Sequence, residues 1–490
     1  MVRFPNFSAI APDLGRIFLF MGLVSYLPLL IGLVYGEYGI LLPMISAPVA
    51  FTALGLLLLR IRKTEREPPL SISLGSVALI WIVASLVGAL PLTLGIGMPY
   101  TDAVFEAMSG WTSTGLSLIP NVDAVPQTLL FWRSLTQWMG GIGIVAFSVA
   151  LASRSSLTSF RLYRAEGRSE TLMPSVVATA AQMWRIYLIL TIAGVGLVML
   201  SGIPLWDAVN ISMTAIATGG FSVHTQGIMY YQNPLLEMLI IPIMIAGALP
   251  FKLYYLTYYR KQTNFFADSQ ARLLFLLIAL GVALVTFDLV TLTKAVPFQA
   301  LREGLFMVTS GITCTGFHNS NLYTWSSVTV LFLSVLMLIG GSSGSTAGGI
   351  KLSRVNLGIE TLVWWFNKPF KGSHALTSFR HNGKAVGITI AEYEISKNML
   401  VIALFILTIF TGSILLLHLD HTQGFDSSEV IFDVVSAISN VGLSSGFVNP
   451  QMSMAGKWLF IIIMWAGRLE ILPVIALVMG LSGQFSQKRG

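Results

Sequence analysis

A chain of 490 residues could hold several soluble domains, but 54% of it is hydrophobic, 10% is charged and its mean hydropathy is +0.77. That is membrane composition, and it excludes a string of ordinary water-soluble domains. The net charge of +7 raises nucleic acid as a partner, while the one cysteine, Cys314, excludes an intrachain disulfide and a multi-cysteine metal site.

Ten apolar runs of spanning length succeed one another, at 17–35, 39–59, 72–95, 128–151, 184–203, 235–256, 272–293, 327–341, 399–419 and 457–481. The first two are joined by the tight turn Gly36 to Gly39 and read as a retained N-terminal hairpin, since no small-residue cleavage site comes after the first run. Alternating the runs from a cytoplasmic N-terminus puts 24 of the 29 Lys and Arg on the cytoplasmic face, including Arg60, Lys63, Arg66, Arg154, Arg161, Arg164, Arg168, Lys252, Lys261, Lys488 and Arg489. The basic balance is therefore the positive-inside bias of a membrane protein, and no nucleic-acid partner is expected.

From residue 71 on, one pattern occurs four times: an acid, a hydroxyl residue seven positions on, a glycine six beyond that, then an apolar residue. The copies are Asp102, Ser109, Gly115, Leu116; Asp207, Thr214, Gly220, Phe221; Glu303, Ser310, Gly316, Phe317; and Glu429, Ser436, Gly442, Leu443. About ten helix-compatible residues lie between acid and glycine, and they reach about 15 Å, half the hydrocarbon core. Each such helix enters from outside, with its acid at the positive end of the dipole, and stops with its partly negative C-terminus near mid-membrane. Beyond these helix ends the chain reads Thr112-Ser113-Thr114-Gly115, Ala217-Thr218-Gly219-Gly220, Thr313-Cys314-Thr315-Gly316 and Ser439-Asn440-Val441-Gly442. Small and hydroxyl residues ending in glycine suit extended backbone better than helix. Four of these segments around an axis would offer rings of carbonyls to a dehydrated cation, a potassium ion in the filter being the one bound species expected. The chain then divides into an N-terminal transmembrane hairpin (1–70) and pore repeats at 71–153, 154–260, 261–398 and 399–490. The fold class expected is an all-α polytopic membrane protein with four tandem helix, pore-loop, helix repeats.

Residues ATGGFS (217–222), TCTGF (313–317) and SNVGLS (439–444) resemble the Trk/Ktr/HKT superfamily of potassium transporters, and the added hairpin resembles its TrkH/TrkG branch. The resemblance covers nearly the whole chain. It implies potassium uptake across the cytoplasmic membrane, a potassium preference linked to Gly115, a homodimer, cytoplasmic termini, and a cytosolic nucleotide-binding regulatory subunit (TrkA-like) that docks on the segment Lys351 to Lys397. It also implies a gate. Glycines recur at matching depth in the second helix of each unit (Gly140, Gly247, Gly340, Gly467). In the third unit the chain continues as GGSSGSTAGGIK, with Gly340, Gly341, Gly344, Gly348, Gly349 and Lys351, an intramembrane loop expected to obstruct permeation. In the fourth, Arg468 is a charge inside an apolar run, where an unpaired charge costs at least about 2.5 kcal/mol and must face a cavity or a partner.

Other residues carry less. Asp288, Glu106 and Asp433 could concentrate cations at the mouth, though interfacial or hydrogen-bonded roles weigh more; His318, two residues past a motif glycine, is a candidate vestibule residue. No histidine pair has metal-ligand spacing, and no nucleophile motif or P-loop occurs, so neither enzyme activity nor a covalently bound cofactor is expected. An alternating-access symporter driven by sodium or protons is the rival mechanism, and a scaffold with a dead pore fold a third; the four copies share one topology, whereas the rival requires paired inverted repeats.

Overall fold

The computed structural model describes residues 7–62, 70–144, 173, 175–261, 265–367, 379–381, 383–420 and 424–481. Arginines 154, 161, 164 and 168, Lys63, Arg66, Lys488, Arg489 and the 153/154 boundary lie outside them.

The hairpin comprises Phe7–Val24, Leu27–Val34 and Tyr38–Leu59. Its helices cross where both carry glycine: a Cβ on Gly15 would lie 2.9 Å from the Gly55 carbonyl oxygen. The turn between them also docks on the first unit. Glu37 accepts hydrogen bonds from the Gln127 and Thr128 amides at 2.8 and 2.9 Å, capping the N-terminus of the helix that starts there.

Each of the four units has a lead helix, a short helix and a trailing helix. The lead helices are Leu70–Gly88 with its continuation Leu90–Ile96, Val176–Met199, Ser269–Thr291 and Ile388–Leu419. The short helices are Tyr100–Trp111, Leu205–Ile216, Pro297–Ile312 and Ser427–Ile438. The trailing helices are Gln127–Ile142, Pro234–Ala248, Ser327–Ile339 and Met454–Arg468. The trailing helices are short because every unit has a break at the same depth. Leu249-Pro250 turns the second trailing helix by 94° into Phe251–Arg260, and Glu470 and Ile471, both at positive φ, turn the fourth by 114° into Leu472–Leu481.

Six described helices are long and apolar enough to cross a membrane, eight if each bent pair counts as one span, and Ser327–Ile339 is a shorter apolar helix. This is a multi-pass membrane protein. Two of the ten expected runs, 235–256 and 457–481, are thus sharply bent pairs and not single rods. The expected helical start at the motif acid holds for Asp102, Asp207 and Glu429, each in a first turn, but not for Glu303. Proline at the helix start begins the third short helix at Pro297, so Glu303 sits in its middle. The chain also departs from pure helix at a two-stranded antiparallel hairpin, Phe379–His381 with Lys384–Val386, between the helix Leu352–Asn367 and the fourth lead helix.

Candidate functional site: a ring of four glycine-ended segments

The four segments after the short helices close into a ring in chain order. A Cβ on Gly115 would lie 2.1 Å from the Gly219 carbonyl oxygen, one on Gly220 2.3 Å from that of Thr315, one on Gly316 1.9 Å from that of Val441, and one on Gly442 2.3 Å from that of Thr114. The first segment touches the second, the second the third, the third the fourth, and the fourth the first. All four glycines have positive φ (93°, 77°, 81° and 96°), so a side chain there would be both strained and obstructed.

The backbone within each segment repeats as well. Ser113, Thr218, Cys314 and Asn440, two residues before each glycine, have φ between 50° and 56°. Left-handed residues at every second position turn successive peptide planes so that their carbonyls can face one side. The amides, by contrast, are tied back to the short helix. The Thr114 amide donates to the Ser109 carbonyl at 2.8 Å, Gly219 to Thr214 at 2.9 Å, Thr315 to Ser310 at 2.9 Å and Val441 to Ser436 at 2.9 Å. The hydroxyl of the repeat has a further use in the first and fourth units, where the Ser109 and Ser436 Oγ atoms also accept from the motif glycine amide at 3.0 Å. The carbonyls of Thr114, Gly115, Thr315, Gly316, Val441 and Gly442 accept no hydrogen bond among the described residues.

Side chains two before the glycine reach the trailing helices in the first and fourth units. Ser113 Oγ donates to the Gln137 carbonyl at 3.1 Å, and Asn440 Nδ2 to the Met464 carbonyl at 3.0 Å and Thr114 Oγ1 at 2.9 Å. Thr112 pairs with Thr114, and Thr313 with Thr315, through their hydroxyls at 2.7 and 2.8 Å. The second segment differs. There Gln137 Nε2 donates to the Gly219 carbonyl at 2.7 Å while its Oε1 accepts from the Phe221 amide at 3.0 Å. A Cβ on Gly219 would lie 2.5 Å from the Gln137 carboxamide, which is why Gly replaces the Thr or Val found at this position elsewhere.

Three of the matching glycines in the trailing helices serve one purpose. A Cβ on Gly140 would lie 1.8 Å from the Trp111 carbonyl oxygen, one on Gly247 2.7 Å from that of Ile216, and one on Gly467 1.9 Å from that of Ile438. Each acceptor is the last residue of its unit's short helix, so glycine lets the trailing helix cross the helix end at backbone contact. Gly340 is the exception. It has φ 71°, ends its helix, and packs against Gly348 of its own loop.

That loop, Gly340 to Lys351, is folded and packed. Gly344 and Gly349 have φ 75° and Lys351 has φ 85°; Gly341 packs against Ala347, and the Lys351 ammonium donates to the Ala347 carbonyl. The loop returns on itself through the Ile350 amide to the Leu338 carbonyl at 2.9 Å. It lies directly under the ring. A Cβ on Gly348 would lie 2.0 Å from the Ser439 carbonyl oxygen, and Thr346 Oγ1 donates to the Ile216 and Gly247 carbonyls at 2.9 and 2.8 Å. Arg468 completes this layer, donating to the carbonyls of Thr346 at 3.0 Å, Gly140 at 2.5 Å and Gly141 at 2.8 Å. One guanidinium thereby holds the third unit's loop to the first unit's trailing helix. Glu470 faces Arg354.

The acids above the ring are engaged with the protein. Asp102 receives Lys457 Nζ at 2.7 Å, and Asp288 accepts the Ser326 hydroxyl at 2.6 Å. Asp433 accepts from Ser444 Oγ and from the Ser445 and Val448 amides at 2.6–3.0 Å. His318 packs beneath Gly227 of the second unit's outer loop. From the first unit's outer loop Asp123 reaches this one, accepting from His224 Nδ1 at 2.6 Å and from the Thr225 amide at 3.1 Å. The Thr225 hydrogen bonds and the neighbouring His224 hold the Asp123 carboxyl down at about 2. Sequence reasoning missed Gln137, Arg133, Lys457 and Thr346. Polar residues in an otherwise apolar trailing run could have identified the first three; nothing local marks Thr346.

Comparison with known proteins bears on the family and the overall fold. The family model TrkH, described as a cation transport protein, matches residues 44–488. An uncharacterized cation transporter of Methanocaldococcus jannaschii is 34% identical over 466 residues, 95% of this chain and 94% of that protein. The Trk system potassium uptake protein TrkH of Halomonas elongata is 31% identical over 418 residues, 82% of this chain and 83% of that one. In fold, the crystal structure of the potassium transporter TrkH from Vibrio parahaemolyticus aligns at a TM-score of 0.84 and 24% identity, covering 96% of this chain and 98% of that chain.

Proposed function

The chain belongs to the TrkH family of cation transport proteins, transporters and not enzymes, and from that membership we propose that it takes up potassium through a gated pore on the axis of its four units. The observation that carries the reading is the closed ring, with four segments in cyclic contact and carbonyls left without protein donors. A potassium ion sheds its water against these carbonyls, and the partly negative ends of the short helices favour its charge. The relatives named as potassium uptake proteins support potassium as the cargo.

Below the ring, the loop Gly340 to Lys351 and Arg468 close the path. The loop obstructs it and the guanidinium opposes a cation. The helix Leu352–Asn367 continues directly from this loop, with the Leu352 amide donating to the Gly341 carbonyl at 2.9 Å. A cytosolic nucleotide-binding subunit that docks on the segment Lys351 to Lys397 would pull on the loop through that helix. In this reading the protein works as a homodimer in the cytoplasmic membrane with both termini cytoplasmic.

Flux into liposomes tests the proposal. The purified protein, with its cytosolic partner added, should pass potassium and rubidium down their gradients much faster than sodium; equal rates for sodium would remove potassium selectivity from the account.

A further inference from the structure

Arg133 and Glu106 form the one ion pair among the described residues with both side chains at most 3% exposed. Glu106 lies on the first short helix and Arg133 on the first trailing helix, 2.8 Å apart. We infer that this pair is a positioning element for cation selection, stapling the exits of the first and second filter segments to each other.

Each oxygen and nitrogen has a place in the staple. Glu106 Oε1 accepts from Arg133 Nε at 2.8 Å and from Ser117 Oγ at 3.0 Å, and Oε2 accepts from the Leu118 amide at 3.0 Å. Arg133 Nη2 donates to Ser117 Oγ at 3.3 Å, and Nη1 crosses to the second unit, donating to the Ser222 carbonyl at 3.0 Å. Its guanidinium carbon stands 4.0 Å from the centre of the Phe221 ring. Ser117 and Ser222 occupy the same place in their units, two residues past Gly115 and Gly220.

The other units lack this pair at the matching positions; the ion pairs at two other seams, Lys457 with Asp102 and Arg302 with Glu237, are more exposed and differently placed. Counting back from the matching glycines, Arg133 corresponds to Ile240, Leu333 and Phe460, none of which can carry charge. Asp433 occupies the Glu106 position in the fourth unit, but it binds Ser444, Ser445 and Val448 of its own unit. The charges of Glu106 and Arg133 cancel locally, and the carboxylate is committed to donors on both oxygens, so it does not act by attracting cations. A planar guanidinium that reaches a carbonyl of one segment while pairing with a carboxylate behind the other fixes their separation, and ring size is set by such separations.

This inference rests on the pore reading, and the test separates the two. The potassium-to-sodium permeability ratio is measured in liposomes for wild type, Ser117→Ala and the paired replacement Glu106→Leu with Arg133→Met, which leaves no unpaired buried charge. The double variant should keep potassium flux yet lose about tenfold in the ratio, and Ser117→Ala, a small change at a half-buried position, should lose about threefold. Arg133→Lys, which keeps a charge but not the fork to Ser222, should fail to restore the ratio. Should the double variant not fold, Ser117→Ala and Arg133→Lys decide alone. Conducting variants with the wild-type ratio overturn the staple and leave the pore intact; a wild-type protein that passes neither potassium nor rubidium overturns both.

Discussion

The ring and the layer directly beneath it are made by the same four units, yet they obey opposite rules. In the ring, four segments share one backbone conformation, one pattern of amides returned to the short helix and one glycine in backbone contact with its neighbour. One level down, the four trailing helices all break, and each break is different: Gly143 at φ 93°, a Leu-Pro bend of 94°, a twelve-residue loop, and a 114° bend that presents Arg468. A site that surrounds an ion with equivalent ligands needs equivalence. A closure needs only one unit to reach the axis and another to hold it there. The trailing-helix glycines mark the border between the two regimes, since Gly140, Gly247 and Gly467 cross a helix end while Gly340 begins the loop.

The largest effect should come from filling that border. Gly140→Ala and Gly467→Ala place a methyl within 2 Å of a carbonyl oxygen, an overpacking cost of about 3 kcal/mol or more. Monodisperse protein in detergent should be lost for both, whereas Gly196→Ala, with nothing within 4 Å, should behave as wild type. Normal recovery of the first two would mean that the crossing is not tight. Next in size, Arg468→Ala should release the lower layer without disturbing the ring. Basal potassium flux in the absence of the cytosolic partner should rise about tenfold with the permeability ratio unchanged, equivalent to a barrier lowered by about 1.4 kcal/mol. A changed ratio would mean that the two layers are not separable.

Gly115→Ser acts on the upper layer alone. It puts a side chain at φ 93° against the Gly219 carbonyl, and the potassium-to-sodium ratio should fall; an unchanged ratio argues against this glycine's role. The smallest effect belongs to the outer loop. The Asp123 carboxyl is held below its unfolded value of about 4, so its hydrogen bonds to Thr225 and His224 stabilise the loop above that value and are lost as pH falls through about 2. Limited proteolysis should therefore find the loop equally protected at pH 5 and pH 7 in wild type, and more accessible at both in Asp123→Ala. Because the group is largely exposed, the gain in stability is small.

Much of the upper layer was legible in the sequence and less of the lower. The interval from acid to glycine locates all four segments because positive φ and backbone contact admit only glycine, and that demand recurs with each copy. The role of the acids was not legible in the same way. Asp102 is matched by Lys457, 355 residues away, a partner that depends on how the units close and that no local pattern encodes, whereas Asp433 is held by amides of its own segment. Glu303 sits mid-helix because Pro297 starts the helix earlier, a local rule that overrides the repeat. Arg468 stood out as an intramembrane charge, but its carbonyl partners Gly140, Gly141 and Thr346 come from two other units, and its sequence neighbour Glu470 turns to Arg354.

The central claim, a potassium-selective ring closed from below, is tested most directly by recording the Arg468→Ala protein in a planar bilayer with potassium on one side and sodium on the other. The account predicts a steady current whose reversal potential is displaced far from zero, to the side that holds potassium back. A reversal potential near zero under these conditions, or the absence of any current carried by potassium or rubidium with the cytosolic partner present, would contradict it.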